Sequence, residues 1–162
     1  MDQSLCDNAI EQNFIFADEL YTEGLELEKY EEASQISDDL KIEKKRYVLL
    51  KTELWLNTIL LKKKCKNPFD TVVYFYSSNP GNNVKIAQQK IIANVLKDIK
   101  QERKDKLVLL PIAGDLDLEI VELQLKTYNV TQTPSILINE KQVLYGFYSK
   151  EEIEKYLRRD AG

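Results

Sequence analysis

Histidine and cysteine, two residue types that often act as nucleophiles, bases or metal ligands, are scarce in this chain. Histidine is absent from all 162 residues, which removes Ser-His and Cys-His nucleophiles and histidine-bound metals together. Two cysteines remain, Cys6 and Cys65, and two thiols cannot form a structural zinc site without other ligands. The strand-to-helix junction VVYFYSSNPGNN (72–83) is a common place for an active site, yet it holds no Cys, Lys, Asp or Glu. The sequence therefore predicts no catalytic residue, no metal and no cofactor.

The composition is typical of a globular protein without a nucleic-acid surface. The chain is 43% hydrophobic and 31% charged, and its formal net charge is −4 with acids and bases interspersed. Phosphate binding needs a basic patch, and the basic run Lys62-Lys63-Lys64 is typical of a solvated helix C-terminus. The sequence has neither a signal peptide nor an apolar span of 18 residues, so a membrane anchor would have to lie upstream of residue 1.

Residues 7–64 contain no proline and have the apolar spacing of amphipathic helices. Residues 34–39 are the predicted break, where Ser37 can cap a second helix. One continuous helix is the alternative. The predicted apolar stripe of the first helix consists of Ile10, Phe14, Ala17, Tyr21 and Leu25. The second helix, residues 38–64, is apolar on more than one face, which indicates that it packs on the first helix and on a further surface.

Pro68 ends the helical half, because proline cannot continue a helix. After it, the predicted strands are residues 71–77, 107–112, 135–139 and 142–147, and the predicted helices are residues 84–101, 117–128 and a last one opened by Ser149. The predicted apolar face of helix 84–101 is Val84, Ala87, Ile91, Val95 and Ile99, with Ile92 and Leu96 flanking it. Strand–helix–strand units imply parallel strands with right-handed crossovers. The sequence thus predicts domains 1–66 and 67–162, the second with a four-stranded mixed sheet flanked by helices.

This order of elements resembles the thioredoxin superfamily, and three stretches carry the resemblance. VVYFYSSNPGNN resembles the family's first strand and active-site loop, and TYNVTQTPSILINEKQVLYGF (127–147) resembles its Thr-Pro step and third strand. YGFYSKEEIEKYL (145–157) resembles its last strand and helix. The resemblance covers about residues 69–158. It implies an α/β, thioredoxin-like fold, preceded here by an antiparallel α-helical hairpin.

The resemblance also implies a groove. In the family, the proline matching Pro134 is cis and faces the active-site loop, and the groove between them binds extended peptide. The loop of the family's oxidoreductases carries Cys-x-x-Cys, which asparagine replaces at both cysteine positions here. Asparagine supplies no thiolate but is a good N-cap, so we expect a loop that keeps its folding role and loses its redox role. The predicted groove residues are Asn79, Pro80, Gly81, Asn82, Thr133, Pro134 and Ser135. A vestigial surface that binds nothing is the alternative.

Cys6 and Cys65 flank the predicted hairpin. Their midpoint, position 35.5, falls inside the predicted turn, and residues equidistant from an antiparallel turn lie side by side. We therefore predict a disulfide at the open end of the hairpin, and with it an oxidising compartment. Two unrelated thiols, or a redox pair relocated from the loop, are the alternatives.

Three functions are consistent with the sequence. The first is a redox-inactive thioredoxin-like module that binds a protein or peptide or is chaperone-like, a role that resemblance to phosducin-like members with helical extensions implies. The second is a thiol–disulfide oxidoreductase using Cys6 and Cys65, and the third is the structural ectodomain of a membrane-anchored protein. We expect an extracytoplasmic or membrane-anchored location, with the cytoplasm as the alternative, and the hairpin is a candidate homodimer surface.

Overall fold

The computed structural model describes residues 2–33 and 37–159, and the chain divides into two compact units, Met1–Asn67 and Pro68–Gly162. The first unit holds the helices α1 (Gln3–Ala33) and α2 (Asp38–Lys64). The second holds, in chain order, β1 (Asp70–Tyr76), α3 (Asn83–Arg103), β2 (Leu107–Ala113), α4 (Glu119–Thr127), β3 (Ser135–Ile138), β4 (Gln142–Tyr145) and α5 (Lys150–Glu154). Among the helices of the described residues, none is long and apolar enough to cross a membrane.

The helices α1 and α2 form an antiparallel hairpin held at three levels. Cys6 and Cys65 are joined by a disulfide with their Cα atoms 5.6 Å apart, so this predicted bond is confirmed. Asn13 Nδ2 donates a hydrogen bond of 3.0 Å to Thr58 Oγ1, and Gly24 lies so close to the Tyr47 hydroxyl that a Cβ there would clash with it. Each of these three pairs is centred on position 35.5, the midpoint that the sequence predicts.

The buried face of α1 differs from the predicted one. Cys6, Asn13 and Leu20 are buried at seven-residue spacing, the repeat of a coiled-coil seam. Tyr21 and Leu25 of the predicted stripe are 53% and 42% exposed, so the stripe lies beside the seam and the prediction of those two positions was wrong. Hydropathy could not find the seam, because it contains a hydrogen-bonded asparagine and a glycine packed under a tyrosine ring.

The second helix begins where the sequence predicts. Ser37 is its N-cap, and the Ser37 hydroxyl oxygen accepts a hydrogen bond from the Leu40 N–H at 3.1 Å. The remainder of the predicted break, residues 34–36, lies outside the described residues. Two neighbouring faces of α2 are buried, one with Leu54 and Leu61 and one with Val48 and Trp55, as its broad apolar surface predicts.

The second unit is built on a four-stranded mixed sheet in the order β2-β1-β3-β4. β1 is parallel to β2 and antiparallel to β3, and β3 is antiparallel to β4. β1 lies inside the sheet and is a continuous buried run, as its β-branched and aromatic residues predict. β2, with Pro111, is an edge strand. The predicted α/β class is confirmed: this unit has a thioredoxin-like fold, and a helical hairpin precedes it.

α3 packs on the sheet with the C-terminal part of the predicted face, Val95 and Ile99, and with the two residues that were predicted to flank it. Ile92, Leu96 and Ile99 are buried in the core that α3 and α5 share with the sheet. Val84 is 80% exposed and Ile91 is 51% exposed, so these two residues of the predicted face are not part of that core. The helix carries two apolar stripes roughly 100° apart, and periodicity alone does not say which stripe faces the sheet.

A buried carboxylate, that of Asp70, lies at the start of β1, at the opposite end of the sheet from the β1–α3 loop. Asp70 is 1% exposed and accepts hydrogen bonds of 2.8 Å from Asn139 Nδ2 and from the Arg158 N–H. The Arg103 guanidinium lies 3.9 Å from the same carboxylate. These contacts fix the first residue of β1 to the β3–β4 turn and to the segment after α5.

Candidate functional site

The loop from β1 to α3 is shaped by its turn residues. Gly81 has φ +80°, a left-handed conformation that favours glycine, and it follows Pro80. Asn82 caps α3, because its Oδ1 accepts a hydrogen bond of 2.8 Å from the Lys85 N–H. Pro80 is half-buried, whereas Asn79, Gly81 and Asn82 are exposed. The asparagine therefore has the capping role that the sequence predicts.

Asp115 holds the first half of this loop. Its carboxylate accepts hydrogen bonds from the Ser77 hydroxyl at 2.7 Å, the Ser78 N–H at 2.8 Å and the Asn79 N–H at 3.0 Å. Partial burial raises the pKa of Asp115, but the hydrogen bonds from Ser77, Ser78 and Asn79 outweigh it and lower the pKa below its usual value. The carboxylate is thus charged at neutral pH, and it engages donors that would otherwise be free at the surface.

Gln89 holds the same loop from the helix side. The Ser77 N–H donates to Gln89 Oε1 at 2.8 Å, and Gln89 Nε2 donates to the Ser77 carbonyl at 3.0 Å. Gln89 is itself tied to β1, because the Tyr74 hydroxyl donates to the Gln89 carbonyl at 3.1 Å. Both backbone groups of Ser77 are therefore paired as they would be in a strand.

The segment before β3 lies against the ends of the two parallel strands. The Thr133-Pro134 peptide bond is cis, as the resemblance implied. A Cβ on Gly114, just beyond β2, would stand 3.5 Å from Thr133 Cγ2 and 3.8 Å from the Tyr76 carbonyl oxygen. The residues following β1 and β2 and the residues preceding β3 therefore meet at one edge of the sheet.

Thr133 and Ser135 differ in whether their hydrogen-bonding groups can be reached at this edge. Within the described part of the chain, neither the N–H nor the carbonyl of half-buried Thr133 has a hydrogen-bond partner. Ser135 is 1% exposed, and its Oγ has no partner among the described residues. Thr133 thus presents an open backbone edge, while the Ser135 side chain is out of reach of a bound molecule.

Apolar side chains border the edge on the side of α3. The Gly146 N–H donates to the Pro134 carbonyl at 3.4 Å, and a Cβ on Gly146 would stand 3.8 Å from Gln88 Nε2. The neighbouring Phe147 is 56% exposed. Val84 lies one helical turn before Gln88, so it shares that face of α3. Sequence reasoning missed Phe147 because it placed that residue inside the predicted strand 142–147, whereas β4 ends at Tyr145.

The cysteines lie in the other unit. Cys6 and Cys65 are 3% and 8% exposed, and their disulfide accounts for both cysteines of the chain. The loop at residues 77–82 therefore holds no thiol, and neither cysteine is a free nucleophile.

No protein-family model matches the chain, and no curated protein matches it. Solved structures that match include the germline-specific thioredoxin Deadhead of Drosophila melanogaster, which is 20% identical. That match covers 62% of this chain and 87% of the fly protein, with a TM-score of 0.37. The thioredoxin-like fold of the second unit is seen in its own mixed sheet, in the strand order β2-β1-β3-β4.

Proposed function

We propose that this protein is a redox-inactive thioredoxin-like module that binds an extended segment of a partner protein, in an interaction or chaperone-like role. The observation that carries the proposal is the unpaired backbone of Thr133 beside cis Pro134. An extended peptide can pair with such an edge through its own N–H and carbonyl groups, as in β-strand addition. The groove includes residues 79–82 and the Thr133-Pro134 step.

The rigidity of the loop supports binding without chemistry. Asp115 and Gln89 already engage the N–H groups of Ser77, Ser78 and Asn79, so the loop need not be ordered when a partner binds. Asn79 and Asn82 stand at the positions that thiols occupy in the oxidoreductases, and asparagine cannot exchange disulfides. Phe147 and Val84 offer apolar contact to a peptide side chain, which favours a segment with an apolar residue.

Selection from a display library of random peptides, followed by a titration observed through backbone amide NMR shifts, tests the groove. We expect enriched peptides to shift the amides of Asn79, Asn82 and Thr133. Phe147→Asp should raise the Kd about tenfold or more, whereas Leu123→Asp, a matched change at an exposed leucine of α4, should leave it unchanged. Failure to enrich any peptide, or shifts confined to other surfaces, would contradict the proposal.

The disulfide favours one alternative, a thiol–disulfide oxidoreductase that uses Cys6 and Cys65. Against it, exchange requires an attacking thiolate to reach a sulfur atom, and both cysteines are buried. An insulin-reduction assay separates the two functions. Under the proposal, the protein and its Cys6→Ser/Cys65→Ser variant have the same background rate, while a rate lost in the variant would establish the oxidoreductase.

The same disulfide supports an extracytoplasmic location, because structural disulfides persist in oxidising compartments. A structural ectodomain of a membrane-anchored protein is a further candidate consistent with that location. A thiol assay on protein purified from its native cells without reductant tests the location, since two free thiols would favour the cytoplasm.

A further inference from the structure

A second apolar stripe runs along the outside of α2. Ile42, Leu49 and Leu56 are spaced seven residues apart, and Leu60 follows four residues later. Eighteen residues are five helical turns, so Ile42 and Leu60 lie on the same face. Ile42 is 62% exposed, Leu49 44% and Leu60 54%, and Leu56 is half-buried. We call these four residues the outer stripe; they have the spacing of a coiled-coil seam without a partner helix.

α1 does not cover the outer stripe. The buried contacts of α2 with α1 involve Tyr47, Thr58 and Cys65. Lys44 and Arg46 add ion pairs to Glu31 and Glu23 of α1 nearer the start of α2. Leu49 and Leu56 each stand two residues from a contact position, which is roughly 200° around the helix. The outer stripe therefore faces away from α1, and three of its four residues, Ile42, Leu49 and Leu60, are exposed.

The charges at the two ends of α2 indicate what could cover the stripe. Asp38 is the first residue of the helix and Lys63 is the last but one, and both are exposed. They are 25 residues apart, which is about seven turns, so both lie on the face of the outer stripe. That face is acidic at its start and basic at its end. The outer stripe runs along its middle together with exposed Arg46 and Glu53, which follow Ile42 and Leu49 by four residues each.

We propose that the outer stripe is a self-association surface, on which α2 of a second copy packs antiparallel about a two-fold axis. Antiparallel packing brings Ile42 against the partner's Leu60, and Asp38 against the partner's Lys63. A parallel arrangement would instead place like charges together at both ends. A two-fold axis makes the contact self-complementary, so one favourable charge pair occurs twice. This interface is separate from the groove proposed above.

Sedimentation velocity on the full chain with its disulfide intact tests the surface. We expect a concentration-dependent monomer–dimer equilibrium. Leu49→Gln/Leu60→Gln changes two exposed residues and should raise the dimer Kd at least tenfold, with the helix content by circular dichroism unchanged. The matched control Leu5→Gln/Leu123→Gln alters two exposed leucines elsewhere and should leave the Kd unchanged. A chain that is monomeric at all concentrations, or a dimer that survives the outer-stripe change, would overturn the proposal.

Charge reversal tests the antiparallel arrangement. Asp38→Lys and Lys63→Glu should each weaken the dimer, because each places like charges together at both ends. The combined Asp38→Lys/Lys63→Glu variant should restore it, since the two ends are then exchanged. A double variant that dimerises as weakly as the single variants, or more weakly, would overturn the antiparallel packing. Binding of the monomer to vesicles of anionic lipid, lost with the Leu49→Gln/Leu60→Gln change, would assign the stripe to a membrane surface instead.

Discussion

At the scale of single residues, Asp115 decides the shape of the candidate groove. It is an exposed side chain, yet three donors from residues 77–79 converge on its carboxylate. These three hydrogen bonds order the first half of the loop between β1 and α3. The Asp115 carboxylate fixes the backbone N–H groups of Ser78 and Asn79. The outer surface of the loop is left available to a binding partner.

Asp115→Asn should loosen the loop without unfolding the protein. The amide has one acceptor oxygen and no charge, so it cannot accept all three hydrogen bonds. We expect faster hydrogen exchange at Ser78 and Asn79 in the variant. Asp117→Asn, a change at a neighbouring exposed aspartate, serves as the control and should leave exchange unchanged.

The same residue gives the loop a pH dependence. Because its folded pKa is lowered, the stabilisation is present above the unfolded pKa and is lost as the pH falls through the folded pKa. The amide shifts of Ser78 and Asn79 should therefore titrate together at a pH below the usual range of an aspartate, and Asp115→Asn should abolish that titration. A midpoint above the usual aspartate range would contradict this assignment.

The groove could be predicted from the sequence only in part. The Asn82 cap and the Pro80-Gly81 turn follow from local preferences and are found as expected. Asp115 and Gln89 reach the loop from other elements, and no local pattern reveals them. Asp115 was still within reach of topological reasoning, because parallel strands β1 and β2 end at the same edge and Asp115 follows β2 by two residues.

At the scale of elements, the hairpin depends on its disulfide. The bond joins cysteines 59 residues apart, so the chain-entropy model gives about 4 kcal/mol of stabilisation. Cys6→Ser/Cys65→Ser should lower the free energy of unfolding by about that amount. Urea titration can follow the fluorescence of Trp55, which is the single tryptophan and is fully buried in α2. Reduced wild-type protein should match the variant, and a loss below about 1 kcal/mol would show that the helices hold themselves together.

The helices also show where sequence periodicity reaches its limit. The pairing of the hairpin was predictable, because the cysteine midpoint and the Ser37 cap indicate the same turn. The buried faces of α1 and α3 were harder to predict. Asn13 and Gly24 belong to the α1 seam through a hydrogen bond and a close ring contact, and neither adds to an apolar pattern. On α3, Ile91 and Ile92 are equally apolar, and only the second is buried.

At the scale of the whole molecule, Lys51 should make stability rise with pH. Burial lowers the pKa of Lys51 from 10.5 to about 7, and the charge of Glu28 opposes that shift. The Lys51 Nζ lies 4.4 Å from the centroid of the Tyr47 ring. Between about pH 7 and 10.5 the unfolded chain holds a proton that the native chain has lost, so stability increases with pH, by at most about 1.4 kcal/mol per pH unit.

Denaturant titrations of the full chain at several pH values check this expectation. Lys51→Met should remove the increase above pH 7, whereas Lys41→Met, at an exposed lysine of the same helix, should preserve it. A wild-type profile that is flat across this range would show that Lys51 keeps its proton in the native protein.

The disulfide also sets how the chain would transmit a mechanical force. Cys6 lies at the start of α1, and Cys65 caps the end of α2, just before the connection to β1. Tension applied through residues on either side of this pair passes from one sulfur to the other and bypasses the two helices. Reduction would place the hairpin in series with the sheet, and its helices would then bear the load. Reduction of the disulfide therefore changes which part of the molecule unfolds first under tension.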